Sequence, residues 1–229
     1  IGTLVASRKE PTLEGLKLLH TIILDAGPRG EENLAPRTPR FLRRMPMVYV
    51  NAEGGGLYAS DSTHTDAPSA RLVFDFGAGA LAGGAAITPD DRYYVTALAG
   101  QHRVVSLDLD DRWKPRQVSA VRLDRDPESG KARRGGPNGL TMSADGTRVA
   151  VADYTVDVPT FVQDGDRRVY IVRLDPATGR LRIDGAFRDE LTGEVGVDFN
   201  RTRWPHGETG PARPAGLLFV TPQPPGAED

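Results

Sequence analysis

The chain has 229 residues, 38% hydrophobic and 26% charged, with a formal net charge of −2, an ordinary globular balance that offers no basic face for nucleic acid. No apolar run approaches the roughly 20 residues that a membrane-spanning helix needs. The lack of cysteine excludes disulfides, thiolate metal ligands and cysteine nucleophiles, and it leaves open whether the compartment is cytoplasmic or periplasmic. The sequence opens at Ile1 with no basic-then-apolar leader, which reads as a fragment or a processed product.

The 26 glycines and 18 prolines are scattered between short apolar runs, a pattern of many tight turns that points to an all-β fold. Taken in order, residues 16–24 form an apolar stretch that fits a buried strand or a short helix equally well. Strands are expected at 56–61 and 71–75. Residues 85–96 form an apolar strand, a turn at Asp90-Asp91 and an alternating strand, which together read as a hairpin. A third strand is expected at 102–109 and a fourth at 116–123. The same succession returns at 140–151, around Asp145-Gly146 and with a turn one residue longer, followed by strands at 168–175 and 180–183. Tyr58-Ala59-Ser60-Asp61 falls where Ala150-Val151-Ala152-Asp153 falls in the later copy.

A repeated four-strand unit predicts a β-propeller, with blades at 47–80, 81–135 and 136–200 and a closing strand at 212–222. A blade takes roughly 40–50 residues, so the spacing from Asp90 to Asp145 requires inserted loops. The polar stretches 124–136 and 154–166 supply them. A closed ring needs at least four blades, so residues 1–47 or preceding polypeptide must provide the rest.

The order of these pieces resembles the C-terminal part of the selenium-binding protein family, which includes bacterial methanethiol oxidases. The resemblance rests on Ile87-Thr88-Pro89-Asp90-Asp91-Arg92, Ser106-Leu107-Asp108-Leu109 and Lys114-Pro115. It continues through Gly135-Gly136-Pro137-Asn138-Gly139-Leu140, Ala144-Asp145-Gly146-Thr147-Arg148, Asp153-Tyr154, Val197-Asp198-Phe199 and Gly210-Pro211-Ala212. It implies a seven-bladed propeller that binds copper through histidines in the central channel and oxidises a small thiol such as methanethiol. The positions matching the family's channel histidines read Gly83, Ala99, Asn138 and Ala215, so those ligands are depleted.

Four histidines are present, at 20, 64, 102 and 206. His20 lies in an apolar run and reads as a core residue, and His102 as the exposed first residue of a strand. His64 and His206, each in a loop next to a strand, are the best pair of metal ligands. A second, acidic set at Asp61, Asp153 and Asp157, continuing to Asp164 and Asp166, offers oxygen ligands of the kind calcium or magnesium takes; the bland alternative is that Asp61 and Asp153 end strands by bonding backbone. The Arg-Arg pairs at 43–44, 133–134 and 167–168 fit solvated turns. The candidate metal residues are therefore His64, His206, Asp61 and Asp153, with copper expected from the resemblance and calcium as the alternative. Three functions follow: a copper-dependent thiol oxidase, a non-catalytic propeller binding a small molecule or protein at its channel face, and a lactonase-type hydrolase.

Overall fold

The computed structural model describes residues 39–52, 54–61, 63, 70–125, 129–131, 136–153, 156–157, 162–163, 168–188, 194–199 and 218–222. Three four-stranded antiparallel sheets follow one another along the chain. The first holds β1 (Arg40–Phe41), β2 (Met47–Asn51), β3 (Gly56–Asp61) and β4 (Arg71–Asp75). The second holds β5 (Ala82–Ile87), β6 (Tyr93–Leu98), β7 (Arg103–Asp108) and β8 (Arg116–Arg122). The third opens with β9 (Pro137–Met142) and β10 (Arg148–Asp153). A small hairpin, β11 (Val156–Asp157) with β12 (Val162–Gln163), interrupts it before β13 (Arg168–Leu174) and β14 (Leu181–Arg188) complete it. A further pair, β15 (Glu194–Phe199) and β16 (Leu218–Pro222), begins a fourth unit.

The first strands lie innermost, β5 against β9 and β9 against β15. Successive sheets stacked around a line of inner strands are the blades of a β-propeller, as the repeat predicts. Each second strand is enclosed by neighbours, and β2 and β6 are buried at every residue. The outer strands β4 and β8 have no buried residue and are the wettest of their sheets. One apolar cluster, including Tyr49, Leu57, Tyr94 and Leu98, fills the first joint between blades. Another, including Tyr93, Val95, Val149, Val151 and Tyr170, fills the second.

The repeated turns owe their shape to polar side chains. Thr88 accepts from the Tyr93 N–H at 2.9 Å and Ser143 accepts from the Arg148 N–H at 3.0 Å. Asp90 and Asp145 receive the N–H two residues on, at 3.2 and 3.0 Å, which is an Asx turn. Thr88 to Tyr93 and Ser143 to Arg148 close identical spans, so the second turn is not one residue longer. The earlier match of Tyr58–Asp61 with 150–153 also fails: β3 is a third strand, and β2 is the counterpart of β6 and β10. The third strands β3 and β7 end in Asp, as the second strand β10 does, so the ending alone does not tell the two places apart in sequence.

Asp91 joins the first two blades. Its carboxylate accepts the N–H groups of Arg43 (2.9 and 2.8 Å) and Arg44 (2.7 Å) from the β1–β2 turn, while Arg112 donates to its carbonyl at 2.6 Å. It is buried and sits at φ +61°, in the left-handed region that Gly146 occupies in the next blade at φ +74°. The charged hydrogen bonds outweigh a backbone penalty of roughly 1–2 kcal/mol.

Asp91→Ala should lower the free energy of urea unfolding by about 2–4 kcal/mol, and Asp91→Gly by visibly less, because glycine relieves the backbone while losing the same carboxylate. Equal losses would mean that the carboxylate, not the backbone, sets the whole cost. No loss in either variant would remove the joint's assigned role. Partial burial pushes the Asp145 carboxyl up, but the Ser143 hydroxyl and the Thr147 N–H hold it below the ordinary range. Its stabilisation is therefore present above the ordinary carboxylate pKa of about 4 and is lost as pH falls through the lower folded value. Asp145→Asn should flatten the acid limb of a melting-temperature profile below that pH; an unchanged limb would refute it.

Candidate functional site

The inner strands depart from regular pairing at one shared register. In β9, Pro137 faces Asp153 and Gly139 faces Ala152, which leaves Asn138 as an extra, bulged residue. In β15, Glu194 faces Pro222 and Gly196 faces Thr221, leaving Val195. In β5 the shift falls between Ala82 and Ala85, and the same count places Gly83 there. A glycine follows each: Gly84, Gly139 and Gly196. Bulges re-aim a strand and recur beside functional surfaces.

Here β5 and β9 approach too closely for side chains. A Cβ on Gly83 would lie 2.4 Å from Asn138 Oδ1 and 2.9 Å from its carbonyl oxygen. One on Gly84 would lie 2.6 Å from both the Asn138 carbonyl oxygen and the Leu140 nitrogen. A buried polar network fixes this end of β5 from behind. Asn51 Nδ2 donates to the Gly83 carbonyl at 3.1 Å and to Thr96 Oγ1 at 2.7 Å, and Tyr94 donates its hydroxyl to Asn51 Oδ1 at 2.9 Å. Thr96 Oγ1 donates to the Gly84 carbonyl at 3.1 Å. Burial drives the Tyr94 phenol pKa far up, so it stays a donor.

At the same end of the blades, Asp153 closes β10 opposite Arg168, the first residue of β13. Both are buried, and cross-strand partners share a face. Asp61 lies elsewhere. It ends β3 opposite Met47, the first residue of a second strand, whereas Asp153 is the last residue of one. The two carboxylates therefore mark opposite rims of the propeller. Asp61 accepts from the Thr63 N–H at 2.8 Å and hydroxyl at 2.6 Å, the backbone-capping role weighed in sequence.

Asp157 lies on β11. His20, His64, His206, Asp164, Asp166 and Ala215 lie outside the described residues. His102 is half-buried and precedes β7, at φ +51° after the 3-10 turn Ala99–Gln101, rather than opening the strand as an exposed residue. Ala99 sits in that turn, its N–H donating to the Leu81 carbonyl at 3.1 Å. The innermost strand of the fourth unit is β15, which packs on β9 and β10, and β16 lies one place further out. The inner register position in β15 belongs to Val195. Sequence comparison missed it, although Glu194-Val195-Gly196 parallels Pro137-Asn138-Gly139.

Among the described residues, no three His, Asp or Glu side chains converge to hold a metal. Gly83, Asn138 and Val195 do not fit an imidazole-bound copper at the inner register, and Gly83 has no room to become one. What this rim offers is hydrogen-bonding chemistry: Asn138 on β9, and the buried Asp153 and Arg168 paired across β10 and β13.

The chain matches no protein-family model and no curated protein sequence. Solved structures do resemble it. A hypothetical selenium-binding protein from Sulfolobus tokodaii superposes with a TM-score of 0.56 at 18% identity, over 66% of this chain and 40% of that one. The periplasmic gluconolactonase of Pseudomonas aeruginosa gives 0.59 at 16%, over 72% and 44%. The β-propeller domain of Cps50 (Swd1) from Myceliophteria thermophila gives 0.50 at 10%, over 71% and 46%. These likenesses show the propeller fold, and this chain spans less than half the length of each.

Gly83→Ala should destabilise the protein by roughly 1–3 kcal/mol through overpacking, and adding Asn138→Gly should recover part of that by removing the nearer contact. A Gly83→Ala protein that melts with the parent would contradict the close approach of β5 and β9.

Proposed function

We propose that the chain is part of a ligand-binding propeller of selenium-binding protein-like fold, in which the rim carrying Asn138, Asp153 and Arg168 holds a small polar molecule or a protein segment. The observation that carries this reading is the contact between Gly83 and Asn138. It fills with glycine and with the side-chain amide and backbone carbonyl of Asn138 the inner position where the resemblance calls for a copper-binding histidine. Copper-dependent oxidation of a small thiol needs several convergent imidazoles, and the inner register supplies Gly83, Asn138 and Val195 instead. A lactonase-type calcium site built from Asp61 together with Asp153 is opposed by their placement on opposite rims.

His64 and His206 keep the metal question experimental. Purified protein incubated with Cu(II) or Cu(I), desalted and analysed for metal should retain far less than one equivalent of copper, with His64→Ala and His206→Ala unchanged from the parent. Retention of one copper per chain, lost in either variant, would replace the binding reading with the oxidase. A melting temperature that rises with calcium and not with magnesium would favour the hydrolase.

A further inference from the structure

Both complete joints between blades are closed in the same way. The turn between the third and fourth strands of one blade lies against the face of the blade before it. At the first joint, Tyr49 donates its hydroxyl to the Arg112 carbonyl at 2.9 Å, and the Arg71 guanidinium stacks 5.2 Å from the Trp113 ring. At the second joint, Tyr93 donates to the Ala177 carbonyl at 3.2 Å and Ser106 to the Gly179 carbonyl at 2.6 Å. Gly179 wedges so tightly there that a Cβ would lie 2.5 Å from the Tyr93 ring.

The third blade presents the equivalent face on the side where β15 packs, with different chemistry. Register pairing runs Tyr93–Asp108–Arg116 across the second blade and Arg148–Arg173–Arg182 across the third. A hydroxyl and an opposite-charge pair are thus replaced by three guanidinium groups in a row, an arrangement that is unfavourable when like charges stand directly opposite. Among the described residues, Asp184 pairs with two of them, at 3.3 Å to Arg173 and 3.3 Å to Arg182. Asp175 uses both carboxylate oxygens within its own turn, and Asp145 uses Oδ1 in its turn while its charge acts on Arg148. A surface cavity of about 350 Å³ lies at this place, lined by Arg173, Asp175, Arg180, Leu181 and Arg182.

We infer that this arginine face is the docking surface for an acidic turn, the one joining the third and fourth strands of the blade that β15 and β16 begin. The position is fixed by the two joints already closed, and the chemistry by the charge of the row. The partner therefore brings Asp or Glu side chains where the earlier joints use turn carbonyls. This interface is electrostatic, unlike the tyrosine-latched pair before it.

The probe is a pair of synthetic hairpin peptides of one length, with turns reading Asp-Pro-Glu-Gly and Asn-Pro-Gln-Gly, titrated into the isotopically labelled protein while arginine Nε–H resonances are followed by NMR. The acidic peptide should shift the signals of Arg148, Arg173 and Arg182 and bind at least about fivefold more tightly than the amide peptide at low salt. That margin should disappear near 0.5 M salt. The Arg173→Glu/Arg182→Glu variant, checked for an unchanged circular dichroism spectrum, should lose the preference; the milder Arg173→Gln/Arg182→Gln serves if it does not fold. Equal binding of both peptides, shifts confined to other arginines, or no binding would overturn the inference. So would a single-stranded oligonucleotide that binds as tightly as the acidic peptide, since the face would then take any polyanion.

Discussion

A sheet whose second strand is buried on both sides cannot stand alone in water, and that constraint organises this protein. The β2 and β6 strands have no exposed residue, so each blade exists by virtue of its neighbour. Apolar clusters at the joints satisfy most of that need, because removing such surface from water is worth roughly 25 cal/mol per Å². The polar contacts then decide which blade fits which. Asp91 reaches back to the turn of the first blade, and Tyr49 and Tyr93 reach forward to turns of the second and third.

The same crowding shapes the candidate site. Inner strands converge on an axis, and at their bulged beginnings there is no room between β5 and β9 for anything larger than glycine. Asn138 thus acquires its position by default, as the side chain that occupies space its neighbour leaves. Asn51, itself held by Tyr94, and Thr96 donate to the carbonyls of Gly83 and Gly84, and a buried carbonyl left without a partner costs about 1–3 kcal/mol.

Local chemistry was the part legible in sequence. The Asp turns, the alternation of the strands and the repeated order led to the propeller because each is written within a few neighbouring residues. The register beyond a hairpin was less visible. Tyr58–Asp61 was matched to a second strand because an apolar run ending in Asp serves two places in a blade, and only the sheet order separates them. The inner position of the fourth unit was also hidden: contacts across blades place β15 there, and Glu194-Val195-Gly196 lacks the proline that marks Pro137-Asn138-Gly139. Asp61 and Asp153 looked alike as strand-ending acids; strand direction sends them to opposite rims, and nothing in a linear pattern encodes direction. The role of Asp91 was likewise hidden, since its partners lie 47 and 48 residues away.

The Asp91 contact also bears on how such a chain can be inherited. The turn at 42–46 has no aspartate of its own and borrows one from the following blade. A blade copied or exchanged by itself would therefore arrive with a turn that lacks its anchor, or leave an anchor with nothing to hold. Recombination that respects stability has to cut within a blade and carry whole joints across. On that footing the heritable module of this propeller is the seam between two blades, and the visible blade is only what two seams enclose.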